Sequence, residues 1–352
     1  FINKRIKRIM AYTTINKSGD YFNTKLWTGT GSNGNAISGV GFAPDWVWVK
    51  NRSGTYDHVL FDRVRGDNKH VESNNNSAEE NEANTLAFGS DGYSVGTNTL
   101  NNNNDNIVSW NWKANGAGSA NTDGSISSTV SVNTTAGFSI VKFAGNGTAG
   151  NTVGHGLGVV PKFMIVKEMT NASSWITYHH SLGNTRGINL NETGAGITSN
   201  NYWNSTSPTS TVFSTGAWTN EGSSRDYIVY CFAEKTGYSK FGSYTGNGNA
   251  DGIFVYTGFK PALVICKRTD GGTQNWCIMD NKRGYNSDVQ QLHPNANNVE
   301  SLGSGDTLDL LSNGFKMRAT DGDKNGSGET YIYMAFAEAP LVGSNNIPCT
   351  AR

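Results

Sequence analysis

The chain has 352 residues, with 28 Lys and Arg against 28 Asp and Glu, and so carries no formal net charge. Neutrality excludes a chain-wide nucleic-acid binder, which needs a basic field to meet phosphates, and no window approaches the ~18 apolar residues of a membrane-spanning helix. Only 16% of residues are charged while 43 are glycine and 11% aromatic, which excludes a charge-driven disordered chain and leaves a turn-rich protein with ample material for a core.

Residues 1–20 read as an N-terminal extension. The start, Phe1–Met10, is basic but has no following apolar stretch, so it is not a secretion signal. Residues 1–9 read either as upstream translation ahead of Met10 or as a basic docking arm.

From residue 21 the chain repeats itself. A first box runs Trp27-Thr28-Gly29-Thr30-Gly31 and then Gly41 through Pro44 to Lys50; it returns as Phe143–Gly147 with Pro161 to Lys167, and as Tyr244–Gly248 with Pro261 to Lys267. The step from proline to lysine is the same in all copies. A second box is His58–Asp62 followed by Arg65-Gly66, matched by Trp276–Asp280 and Arg283-Gly284. Its middle copy, Trp175–His179 with Arg186-Gly187, has an enlarged turn and no aspartate. A closing box reads Ile107–Trp112, Tyr227–Glu234 and Tyr331–Glu338. Each unit spans roughly 100 residues, the size of one β-sandwich. The expected organisation is therefore sandwich units over 21–118, 119–240 and 241–340, with a tail over 341–352. Ala114–Gly124 reads as a flexible linker between the first two.

Within each unit the runs Trp46–Val49, Phe163–Val166 and Ala262–Cys266 are β-branched or aromatic, with proline ahead and polar turns behind. Helical periodicity is nearly absent; Asn76–Ala83 is the one stretch that could make a helical turn. The fold class is all-β: three tandem antiparallel β-sandwich units of jelly-roll or concanavalin-A-like type. Glycine and asparagine serve the many tight turns such units need, or else form an amide-rich, adaptable binding surface.

Candidate chemistry is sparse. Asp62 and Asp280 each precede an arginine, Arg65 and Arg283, by three positions, which reads as a turn closed by a carboxylate–guanidinium pair. No second carboxyl accompanies either, and one active site is rarely triplicated, so no catalytic residue is assigned and no cofactor is expected. His155, His179 and His180 read as hydrogen-bonded histidines, with a metal site as the alternative. Asp321, Asp323 and Asn325 resemble half of a calcium loop and read more simply as a polar hairpin. Cys231, Cys266, Cys277 and Cys349 show no CxxC spacing; the first three lie in apolar runs and read as small buried hydrophobes of a reducing compartment. The nine tryptophans and fourteen tyrosines exceed what three small cores need. Tyr56, Tyr202, Trp203, Trp218 and Tyr285, all in polar surroundings, are therefore candidates for exposed rings that stack on sugars, or for contacts between units or subunits.

The boxes Gly41–Gly66, Val153–Lys167, Tyr230–Gly252 and Leu311–Pro340, together with the ending Pro348–Arg352, resemble a tandem-repeat family of marine tailed-phage (cyanophage-like) proteins. Its unassigned domains are described as concanavalin-A-like or as virion structural protein. The resemblance covers about residues 12–352. It implies a virion component made in the host cytoplasm: a tail-fibre or other surface-exposed adhesin that binds host-surface glycan, a purely structural decoration or tail protein, or an envelope depolymerase. The partners it implies are other virion subunits, in a homo-oligomer, and host glycan, with neither nucleic acid nor membrane insertion.

Overall fold

The computed structural model describes residues 12–284, 286, 290–300 and 307–340. The readings made of residues 1–9, Tyr285, Cys349 and the tail over 341–352 lie outside these residues. The regular structure of the described residues is almost wholly antiparallel strand, with one single-turn α-helix, Asn200–Trp203. Three large sheets follow one another along the chain, each faced by a small one. In each large sheet the strand of the first box lies between those of the closing and second boxes: Trp46–Asn51 between Asn106–Trp112 and His58–Asp62, Phe163–Glu168 between Ser223–Phe232 and Ile176–His179, and Phe259–Arg268 between Thr330–Pro340 and Cys277–Asp280.

Alternation along these strands serves two cores rather than a core and the solvent. Val47 and Val49 face the first unit's small sheet, as Met164 and Val166 do in the second and Val264 and Cys266 in the third. The residues between them, Trp46 and Trp48, Phe163 and Ile165, Leu263 and Ile265, all enter a fourth core shared by the three large sheets. A strand buried on both faces has no polar position to alternate with, which is why these runs are continuously apolar. Trp112, Phe232 and Phe336, at equivalent places in the closing box, meet in this core with ring centroids 5.6, 5.8 and 6.4 Å apart. Three near-equal separations place an approximate three-fold axis among them.

Polar contacts run around the axis in one direction. Lys50 Nζ donates to Asn51 O and Gly54 O in its own unit and to Asn297 O in the third; Lys167 Nζ donates to Ser173 O and to Asn76 O in the first; Lys267 Nζ donates to Gln274 O and to Thr193 O in the second. Burial pushes all three ammonium groups down to about 8. Trp175 Nε1 donates to Glu72 O, Trp276 Nε1 to Asn189 O and Ser73 Oγ to Pro294 O, in the same sense. Such head-to-tail contacts close into a ring when three copies complete a turn.

Four expectations are corrected here. The tryptophan surplus is absorbed by the shared core, since Trp46, Trp48, Trp110, Trp112, Trp175 and Trp276 all lie in it. The stretch over 114–124 is not a free linker. Asp45 takes the backbone N–H of Ala114 and Gly116, and Ser119–Asn121 pairs with Ser128–Asn133. Asn76–Ala83 makes no helical turn and contains the short strand Glu80–Asn81, held against Lys69–Glu72. Arg186 is not the counterpart of Arg65: Val59 pairs with Glu72 and Ile176 with Asn189, which puts Arg186 at the position of Lys69.

Candidate ligand-binding site

In the second unit the stretch between Asn189 and Ser214 contains the helical turn Asn200–Trp203. Ser199 caps a turn of helix there through Asn201 N–H, and Asn204 ends it at φ 50°, a left-handed conformation asparagine tolerates. The turn explains why Tyr202 and Trp203 are only 2% and 1% exposed, against the expectation of exposed rings. Neighbours on a strand must diverge, whereas neighbours on a helical turn can both pack inward. Tyr202 lies on Gly187, where an added Cβ would stand 2.6 Å from the ring. Trp203 Nε1 donates to Arg186 O and the indole meets Tyr178 edge-on.

Trp218 behaves differently. Its backbone N–H is fixed to Asn201 O at 2.8 Å, Thr219 Oγ1 holds Tyr202 O at 2.8 Å, and the indole stands edge-on to Tyr202 at 4.8 Å while remaining 38% exposed. The two rings and Ile176 floor a cleft of about 270 Å³, rimmed by Ser173, Ser174, Asn189, Ile197 and Glu221. Asn189 Oδ1 is buried without a hydrogen-bond partner, Ser174 Oγ donates to Glu192 at 2.7 Å, and Glu221 holds Arg225. Burial pushes the Tyr202 phenol up to about 12, so it stays neutral. The cleft falls just below the usual range of ligand pockets, about 300 to 1,000 Å³. A wider hollow of about 500 Å³ beside Arg63 and Phe88 offers less, because Asp45 and Arg63 are already engaged by backbone groups.

Tyr56 lies elsewhere, half-buried against Gly54 in the first unit. The structure therefore brings together Tyr202 and Trp218 of the five aromatic candidates. The calcium reading is also corrected. Asn325 is fully buried, its Oδ1 accepting from Asn247 N and its Nδ2 donating to Asn249 O and Ala319 O. Asp321 takes Lys324 Nζ at 2.8 Å and Asp323 takes Asn275 N at 2.7 Å, so the three do not converge on one cation position. Asn325 belongs instead to a repeated clamp that sequence reasoning missed. Asn101 Oδ1 accepts from Thr30 N and Asn220 Oδ1 from Asn146 N in the same way. Gly29, Gly145 and Gly246 are required beside these loops, since an added Cβ would come within 2.0, 2.8 and 2.4 Å of backbone oxygens.

The clamp and the strand register define one equivalent corner in every unit. The equivalent positions are Val59, Glu72 and Thr99 in the first; Ile176, Asn189 and Trp218, which line one cleft, in the second; and Cys277, His293 and Asp323, which lie together, in the third. Asp62 and Asp280 lie three residues further along the strands of Val59 and Cys277, each fully buried and paired with its arginine Nε at 2.5 and 2.6 Å.

A family model matches residues 17–340, with the description "Domain of unknown function (DUF7483)". No curated protein and no solved structure matches the chain.

Proposed function

The chain belongs to this DUF7483 family, whose description assigns no activity, and from that premise we propose that it is a non-enzymatic binding and structural protein of a virion surface, taking a neutral host saccharide at the Trp218 cleft. The carrying observation is the half-exposed indole of Trp218 fixed edge-on to Tyr202, with Asn189 and Glu221 lining the same cleft. A sugar ring offers C–H faces to an aromatic plane and hydroxyls to amide and carboxylate groups, and this cleft supplies both. Its size suits one or two rings. The virion placement rests on the resemblance of the repeat boxes. No catalytic step is assigned, because Asp62 and Asp280 are each engaged by an arginine.

The test is a glycan array with the intact chain, followed by titration of tryptophan fluorescence for any hit. Trp218→Ala should weaken the hit at least tenfold and leave the fold unchanged. Equal binding by the variant, or no hit from host polysaccharides, would overturn the site.

A second reading, a purely structural virion component, is favoured by Phe254 and Tyr256. They are 45% and 57% exposed on Phe254–Tyr256, the edge strand of a three-stranded sheet, and exposed apolar edges commonly mark pairing surfaces. Sedimentation of the wild type and of Phe254→Ser/Tyr256→Ser separates the two: loss of a concentration-dependent oligomer in the variant supports this role.

A further inference from the structure

We propose that the third unit binds one divalent transition-metal ion, zinc by its ligand chemistry, through Cys277, His293 and Asp323. The sulfur, one imidazole nitrogen and one carboxylate oxygen of these residues all lie within 4.8 Å of one another. Tetrahedral zinc, with bonds of about 2.0 to 2.3 Å, sets its ligands roughly 3.5 Å apart, so side-chain adjustments of about 1 Å close the set. Thiolate, imidazole and carboxylate together suit zinc, and three protein ligands leave a fourth position for water.

The surroundings orient the ligands. His293 Nδ1 lies 3.0 Å from Trp276 O. A carbonyl can only accept, so Nδ1, which also lies 3.9 Å from Cys277 Sγ, carries the hydrogen, and Nε2 keeps the lone pair that would take the metal, the arrangement in which a metal-bound histidine is usually steered. Asp323 is held by Asn275 N at 2.7 Å and Asn275 Nδ2 at 3.3 Å. The two nearby ammonium groups are occupied elsewhere, Lys267 Nζ by Thr193 O and Gln274 O, Lys324 Nζ by Gln291 and Asp321. Cys277 is wholly buried while His293 and Asp323 are half-buried, so an ion can enter from their side. The same burial denies a substrate access to the thiol, which removes a nucleophilic role for it.

Comparison around the axis argues that packing alone does not require these residues. The place of Cys277 is filled by Val59 and Ile176, that of His293 by Glu72 and Asn189, and that of Asp323 by Thr99 and Trp218. Aliphatic residues satisfy that core in two units of three. Cys266, across the ladder from Cys277 and in hydrogen-bond contact with its sulfur, is the comparison thiol, since it is buried and the ligand set does not include it.

The experiment is a Co²⁺ titration of the intact, chelator-treated chain, read by thiolate-to-cobalt charge transfer in the near ultraviolet, with competition by Zn²⁺. One equivalent should bind and zinc should displace it. Cys277→Val and His293→Ala should each weaken binding at least a hundredfold, and Cys266→Val should stay within about tenfold of wild type. Valine already stands at the equivalent first-unit position, so Cys277→Val is expected to fold, and its near-ultraviolet circular dichroism verifies this. No saturable binding by the wild type, unchanged binding in Cys277→Val, or equal loss in Cys266→Val would overturn the assignment. None of these outcomes bears on the Trp218 cleft, which lies in another unit.

Discussion

Tyr230 of the second unit donates its hydroxyl to Asp62 of the first, 2.9 Å from Oδ2, and both side chains are fully buried. The next interface repeats the contact with a different donor, Trp110 Nε1 to Asp280 Oδ2 at 2.9 Å. At the third interface the aspartate is replaced by His179 and the facing donor by Met334, and His179 Nε2 donates instead to Tyr333 O. Carboxylate and donor thus come and go together, as expected where an unpaired buried charge would be costly.

Removing one partner should therefore cost more than the contact is worth. Asp62→Ala leaves the buried Arg65 guanidinium with only the more distant carboxylate of Glu79, 3.6 Å from Nη1, as counter-charge and should destabilise by about 3 to 5 kcal/mol. Tyr230→Phe should cost about 1.5 to 3 kcal/mol, as for a hydrogen bond to a charged group. In a double-mutant cycle by chemical denaturation the two should couple by at least about 1 kcal/mol; additivity would show that the pair acts independently.

Acid should loosen the fold before the carboxylates titrate. Burial lowers His179 to about 3 and depresses His58, His70, His155 and His180 as well. With folded values below the unfolded ~6.5, the unfolded chain binds the extra protons, so stability is lost as pH falls below about 6.5. His179 by itself should cost about 1 kcal/mol by pH 5.5. Thermal midpoints from pH 7 to 5.5 should decline, and His179→Gln should flatten the slope by about one proton.

The asparagine clamp makes a contrasting pair of substitutions. Asn220→Ala removes the acceptor for Asn146 N and Gly147 N and the donor to Thr148 O inside the second unit. The expected loss is about 2 to 4 kcal/mol, because buried backbone groups are left unpaired. Asp321→Asn, at an exposed position, should change little, and millimolar calcium should leave the melting midpoint of the wild type where it was.

The shared core implies that the units depend on one another. Excised, residues 239–340 would expose Leu263, Ile265, Met334 and Phe336 on one face of their large sheet. Such a fragment should aggregate or self-associate. A stable monomer with an unchanged circular-dichroism spectrum would refute that dependence.

Much of this was legible in the sequence. The spacing from Pro44 to Lys50 and its two repetitions mark equivalent strands, and the β-branched and aromatic runs dictate antiparallel sheet, because these signals are local and periodic. What Lys50, Lys167 and Lys267 do was not legible, since each reaches a carbonyl in another unit. Tyr202 and Trp203 were misread because one capped turn of helix reverses the strand rule for neighbouring side chains. Trp218 held its exposure, but nothing local tells it apart from the buried tryptophans. Cys277, His293 and Asp323 carry no motif, being set side by side only by strand register and a distant loop. The sequence by itself determined that the chain is a repeated, turn-rich β protein, through chemistry that acts between near neighbours. Only the tertiary structure decided that the strands are buried on both faces about one axis, and that one corner differs in each unit, because burial depends on what the fold brings from far along the chain.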